Sequence, residues 1–248
     1  MTTIEEHTHA MFDTVCRIVN TRVAGRRLRV WLTGPSGSGK SHLAAQVAKA
    51  SGLDYYTTGA IQTPFQLVGF ISPSGDASTL RTPFRIAFES GGLFAWDDVD
   101  GSDPRAFVAF NEALSNGRFA FPDRVVDAHP DFVAVASANT WGNGATAEYV
   151  GRNRIDGATL TRFVRLMVDY DEALEMSFAG ERKAWAKRVQ SVRRAVSSLG
   201  LKVLVTPRHT LQGAALLQAG FPESEVERMT LFAGVDRDTE NKIRSAAR

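Results

Sequence analysis

Residues Gly34-Pro35-Ser36-Gly37-Ser38-Gly39-Lys40-Ser41 follow the spacing G-x-x-x-x-G-K-[ST]. Glycines at these places let backbone N–H groups turn inward around phosphate oxygens, because no side chain blocks the approach. A lysine at this point can reach the β- and γ-phosphates as a point charge, and the serine hydroxyl that follows is a ligand for Mg²⁺. The pattern nominates Gly34 to Ser41 as a cradle for a triphosphate such as ATP with its magnesium. His42 lies beside the cradle, and the start of a helix accounts for it without a chemical role.

Two further segments could complete such chemistry. Leu93-Phe94-Ala95-Trp96-Asp97-Asp98 is an apolar run that ends in two acids. Parallel strands present their ligands at the carboxyl ends, so Asp97 is expected to help Ser41 hold magnesium, directly or through water. Asp98 is the expected base toward the attacking water, with a side chain one methylene shorter than glutamate. A solvated acidic turn is the alternative for this pair, since Asp100 and Asp103 follow. Phe132-Val133-Ala134-Val135-Ala136-Ser137-Ala138-Asn139 is a second such run. Its terminal amide offers both donor and acceptor and could orient water against the γ-phosphate.

These side chains need a scaffold. Leu28 to Thr33 is a short apolar strand running into the glycines, and Ser41 to Ser51 reads as a helix closed by Gly52. Thr3 to Arg22 has helical spacing, with Met11, Val15, Ile18 and Val19 on one face. A strand is expected at Tyr55 to Thr58, a helix at Phe84 to Ser90 and another at Pro104 to Asn116. Gln62 to Pro83 reads as a helix interrupted by a loop or hairpin around Phe70 to Leu80. A hairpin is expected at Phe119 to Val126, and a glycine- and asparagine-rich loop at Thr140 to Gly157. A short helix, Ala158 to Phe163, then leads into a last parallel strand, Val164 to Val168. Strands alternating with helices predict an α/β fold with a parallel sheet sandwiched by helices.

Beyond Tyr170 the pattern is helical: Glu172 to Leu199, Pro207 to Ala219 and Ser224 to Ala233. The reading is a core over 1–170, including the N-terminal helix, and a small C-terminal helical lid over 171–248 with a basic linking helix. Arg182, Lys183, Lys187, Arg188, Arg193 and Arg194 crowd that helix around an apolar stripe of Trp185, Val189, Val192 and Val196. Such a helix could attract nucleic acid, or be a solvated face on a packed element.

The chain has 248 residues, a net charge of +2, 44% hydrophobic residues and one cysteine, Cys16. That balance excludes a general polycation, a disulfide framework and a cysteine zinc site within one chain. The five histidines show no ligand spacing. The polar start lacks a signal-peptide pattern and no apolar run is long enough to span a bilayer, so a cytoplasmic, membrane-free protein is expected.

Taken in order, the motifs resemble those of an AAA+ ATPase, and within that class the MoxR group and the cobaltochelatase subunit CobS. The resemblance is carried by the phosphate loop, Leu67-Val68-Gly69, Thr82-Pro83-Phe84 and Gly91-Gly92-Leu93-Phe94-Ala95-Trp96-Asp97-Asp98. It continues through Asn116-Gly117-Arg118, Phe121-Pro122-Asp123, His129-Pro130-Asp131-Phe132 and Ala138-Asn139-Thr140. Tyr149-Val150-Gly151-Arg152-Asn153, Ala158-Thr159-Leu160-Thr161-Arg162-Phe163 and Thr206-Pro207-Arg208 complete it. It covers 28–170 well and the remainder loosely.

The resemblance implies a P-loop NTPase that hydrolyses ATP with Mg²⁺ in a homo-oligomeric ring, usually a hexamer, with ATP between neighbours. Asn139 matches the sensor-one position, Arg208 the sensor-two arginine, and Arg162 the arginine finger acting in trans. Arg152 and Arg154 are further candidates for that interface. It also implies a protein partner to be remodelled, often one with a von Willebrand factor A domain, and an insert at Phe70 to Leu80 with Phe70 and Ile71 as contacts. Asp98 departs from the family's glutamate and Glu172 to Val205 has no residue-by-residue match. Two alternatives stay open: a nucleic-acid-stimulated ATPase, and an assembly module that binds ATP and hydrolyses it slowly.

Overall fold

The computed structural model describes residues 7–72 and 79–247. These fall into two compact units. One contains Ala10–Pro35 and Gly39–Val168; the other contains Asp169 onward, His7–His9 and the loop tip Ser36–Ser38.

The first unit is built on a five-stranded parallel sheet. Its strands are β3 (Val30–Thr33), β4 (Tyr55–Thr58), β5 (Gly92–Trp96), β8 (Phe132–Ala138) and β9 (Val164–Met167). They lie side by side in the order β4-β5-β8-β3-β9. Along the buried strands, successive side chains face opposite ways. Trp31, Phe94, Trp96, Phe132, Ala134 and Ala136 face an aromatic core shared with α4 (Pro83–Ser90) and α5 (Pro104–Asn116). Val30, Leu32, Leu93, Ala95, Val133 and Val135 face an aliphatic core shared with α1 (Phe12–Asn20) and α2 (Lys40–Ala50). Trp96 stacks on Phe107 at 4.9 Å and meets Phe110 edge-on at 5.0 Å, which fixes α5 against the strand that ends in Asp97.

Several boundaries differ from those expected. α1 begins at Phe12, not at Thr3, and residues 1–6 lie outside the described ones. His9 is not helical: it is buried, and its Nε2 lies 3.0 Å from the Asp169 carbonyl, a tertiary bond that helical spacing could not reveal. β3 begins at Val30 because Arg26–Arg27 (β2) folds back on Arg22–Val23 (β1) through Ala24 and Gly25, both at positive φ. Among its described residues the interrupted segment contains the short α3 (Pro64–Val68), whose Thr63 and Gln66 form a capping box. A bridge then pairs Ile71 with Thr79, and most of the expected insert, 73–78, lies outside the described residues. The predicted hairpin is β6 (Arg118–Ala120) with β7 (Val125–Asp127). The helix expected over Ala158 to Phe163 is the single turn α6 (Gly157–Leu160), and Arg162 follows it in a turn.

In the second unit, the long helix expected over Glu172 to Leu199 is two helices, α7 (Glu172–Phe178) and α8 (Lys183–Ser198), separated near Gly180 at φ +53°. α9 (Pro207–Gln218) and α10 (Glu223–Met229) follow. The expectation lacked α11 (Arg237–Ala246), whose only buried apolar residue is Ile243. Its start signal was nonetheless present, with Asp236 capping Asp238 and Thr239.

Three of the six basic side chains named on the linking helix pair with acids inside the unit. Arg193 grips the buried Glu175 at 2.6 and 2.8 Å, Arg188 meets Glu227 at 2.5 Å and Arg194 meets Glu172 at 2.9 Å. For these three arginines the charge is met inside the unit, an arrangement that neither the solvated face nor the nucleic-acid surface anticipated. No described helix is long and apolar enough to cross a membrane.

Candidate functional site

The phosphate loop leaves β3 at its carboxyl end, where Gly34 N–H still bonds the Ala138 carbonyl at 3.2 Å. Gly37 and Gly39 hold φ of +80° and +90°, the left-handed region that favours glycine. Gly39 caps α2 with no side-chain hydrogen bond, so the first N–H groups of that helix remain available to an anion. The Ser38 hydroxyl is buried and has no partner. Together, left-handed glycines, an uncapped helix start and an orphaned hydroxyl fit a polyphosphate.

Lys40 is buried at the start of α2. Its Nζ donates to the Gly34 carbonyl at 2.8 Å, the Pro35 carbonyl at 2.9 Å and Asn139 Oδ1 at 3.1 Å. Asn139 Nδ2 in turn donates to Asp98 Oδ1 at 3.1 Å. One amide thus joins the loop lysine to the acid at the end of the neighbouring strand. Asp97, at that same strand end, accepts from the Ser137 hydroxyl. Ser41 follows Lys40 in the first turn of α2. Among the described residues no cluster of His, Cys, Asp or Glu could hold a metal by itself. One hydroxyl and one carboxylate are still an ordinary protein contribution for Mg²⁺, which takes its other ligands from water and phosphates. His42 Nε2 is buried without a hydrogen-bond partner.

Asp98 is exposed and left-handed, at φ +48°. Its Oδ1 also receives Arg152 Nη2 at 3.0 Å. Arg152 therefore lies against an acid of its own chain, and its Nη1 sits 3.2 Å from Asp100 Oδ1. Asp100 is the residue that sequence reasoning missed, having grouped it with a solvated acidic turn. It is fully buried, and its Oδ2 accepts from Asn139 N–H at 3.1 Å, Thr140 N–H at 2.9 Å and Thr140 Oγ1 at 2.9 Å. That carboxylate fixes the backbone from which Asn139 projects. The loop carrying Arg152 is pinned to the same segment, with Asn153 N–H bonding the Asp100 carbonyl at 2.7 Å. Asp103, the other acid of the run, caps α5 through Arg105 N–H. No local signal distinguished Asp100 from Asp103.

The remaining arginines lie elsewhere. Arg154 is exposed in the loop, where it bridges Asn143. Arg162 precedes β9, and the register Val30 with Val164 places it at the amino end of the sheet. Its own phosphate loop leaves from the carboxyl end, after Thr33. The four residues of β3 alone separate the two ends by roughly 13 Å at strand rise. In the second unit, Arg208 opens α9 behind the Thr206 cap, and its Nη1 donates to Ser36 Oγ at 3.2 Å. Tyr170 OH bonds the Ser36 carbonyl at 3.0 Å.

A parallel sheet in this strand order, with a glycine loop and lysine between β3 and α2, defines a P-loop NTPase. The description AAA domain (dynein-related subfamily) matches residues 29–163, and the chain belongs to that family of ATPases. Among solved structures, a RuvB mutant from Thermotoga maritima is similar at 14% identity and a TM-score of 0.52, over 85% of this chain and 64% of that one. NtrX from Brucella abortus is similar at 18% identity and a TM-score of 0.51, over 90% of this chain and 49% of that one. At these identities the likeness is one of fold. The chain spans between about half and two thirds of their length. No curated protein matches it significantly.

Proposed function

We propose that the chain is a Mg²⁺-dependent ATPase of the MoxR and CobS type, working as a homo-oligomeric ring, of six copies by resemblance, that remodels a partner protein. The observation that carries the enzymatic part is the hydrogen-bonded run from Lys40 through Asn139 to Asp98. It gathers the expected phosphate ligand, water-orienting amide and base at one sheet end.

In this reading the loop N–H groups and Lys40 hold the β- and γ-phosphates, releasing Lys40 from its loop carbonyls. Ser41 and Asp97 would hold the magnesium ion, which neutralises charge building on the phosphate oxygens. Asn139 and Asp98 orient a water in line with the γ-phosphorus. Its oxygen bonds phosphorus as the bond to the bridging oxygen of ADP breaks, and Asp98 takes its proton. Charge on the phosphoryl group is met by Arg208 and, from a neighbouring copy, Arg162. The position of Arg162 at the far sheet edge supports the trans assignment, because its own loop is out of reach. The contacts of Arg152 with Asp98 and Asp100 favour a role for it within its own chain; Arg154 stays a candidate for the interface. A partner with a von Willebrand factor A domain and a cytoplasmic location remain proposals from resemblance.

Slow hydrolysis is the second reading, favoured by Asp98 being short and held by Asn139 and Arg152 together. Steady-state turnover of ATP by the purified chain, with Lys40→Ala as control, tests the enzymatic proposal. Phosphate release that depends on Lys40 and Mg²⁺ supports it. A chain that binds ATP yet releases no phosphate at any protein concentration, with or without co-purifying proteins, contradicts it.

A further inference from the structure

Three guanidinium groups gather at the amino edge of the sheet. Arg29 Nη2 donates to the Leu114 carbonyl at 3.0 Å and Arg26 Nη2 to the Asn116 carbonyl at 3.4 Å. Arg162 donates from Nε and Nη2 to Ser115 Oγ at 3.2 and 2.6 Å. These four bonds end on Leu114, Ser115 and Asn116, the last turn of α5, which carries no basic residue of its own; a fifth, from Arg162 Nη1, ends on the Ala158 carbonyl of its own turn. Arg29 and the turn of Arg162 are also tied through the backbone, as Val164 N–H bonds the Arg29 carbonyl at 2.9 Å. Gly117 ends α5 at φ +60°, the left-handed region that favours glycine, and the Arg26 guanidinium folds over it.

Among the described residues none of the three arginines has a carboxylate partner, while the adjacent Arg22 and Arg27 share Asp131 at 2.5 and 2.8 Å. Burial, then Arg26 and Arg162, pulls Arg29 down to about 10, so it is still charged at neutral pH. Like charges held together without a counter-charge are costly, and the negative end of the α5 dipole offsets only part of that cost. A guanidinium has five N–H donors, and Arg29 commits one nitrogen to Leu114. Donors and charge remain for an oxyanion ligand.

We propose that Arg29 and Arg162, with Arg26 at the rim, form a receptor for a phosphate oxyanion, and that its occupant is the terminal phosphate of a nucleotide held by a second copy of this chain. The proposal rests on the ring reading above. It adds Arg29 to the groups acting across the interface, and it makes the last turn of α5 the platform that holds them. Assembly then supplies the missing negative charge to one copy and the missing positive charge to the other.

Complementation between inactive full-length variants tests it. Arg162→Ala keeps a phosphate loop and lacks the cationic edge; Lys40→Ala has the reverse. Mixing them should restore ATP turnover, and no restoration would overturn the ring reading itself. Adding Arg29→Ala to the Lys40→Ala donor should cut the restored turnover by about tenfold or more, with partial recovery for Arg29→Lys. Adding Arg29→Ala to the Arg162→Ala acceptor instead should cost far less. An equal loss on both sides would mean a folding role only and would overturn the proposal. So would an Arg29→Ala donor that restores turnover fully while losing affinity for inorganic phosphate, since the receptor would then serve free phosphate.

Discussion

The two ends of the parallel sheet are charged in opposite styles. At the carboxyl end, Arg152 meets the carboxylates of Asp98 and Asp100, and Lys40 is joined to Asp98 through the amide of Asn139. At the amino end, Arg26, Arg29 and Arg162 share three residues of α5 and no carboxylate. A closed network positions groups at little electrostatic cost. An open cluster stores unfavourable charge until an anion arrives. On the ring reading proposed above, the carboxyl end is assembled within one copy and the amino end is completed by another.

Substitutions at each end should therefore fail differently. Arg162→Ala is expected to have the largest effect, lowering ATP turnover by about 10³-fold while nucleotide binding persists, because in its proposed role as a trans arginine it acts on the transition state. Lys40→Ala should lower turnover by about 10²-fold or more and also weaken nucleotide binding, which a fluorescent-nucleotide titration separates from the first case. Equal binding losses for the two variants would erase the distinction between the ends. Asp100→Asn should destabilise the first unit by about 2–3 kcal/mol, read by denaturant unfolding, since its amide would face the N–H groups of Asn139 and Thr140 in a buried site. Turnover should fall with it as Asn139 loses its fixed backbone. Asp98→Glu should raise turnover a few-fold by restoring reach past Arg152; unchanged turnover would count against the slow-base reading. Added salt should have the smallest effect. It should weaken the restoration seen on mixing variants more than nucleotide binding by one copy, because exposed, unpaired charge is screened most.

Much of the carboxyl end was legible in the sequence because its signals are local. The loop spacing, the acids after Trp96 and the asparagine after Ala138 each close a strand, and a parallel sheet brings strand ends together. Asp100 was not legible, since its burial depends on the loop at Asn153 folding onto it. Arg29 was hidden for the same reason: it meets Arg162 only through the pairing of β3 with β9. The partners of the charge on α8 were hidden too, because Glu172 and Glu175 lie on α7 and Glu227 on α10. α11 escaped because Ile243 alone marks its buried face, too little for a periodicity.

In the proposed ring, the two ends of one sheet serve two different sites. Turnover measured across mixtures of Lys40→Ala and Arg162→Ala, at constant total chain, tests this most directly. The expected profile is near zero for either variant alone and highest at intermediate ratios. A profile that stays at zero for every ratio, while wild type turns over ATP, would contradict the claim that Arg162 acts in a neighbour's site.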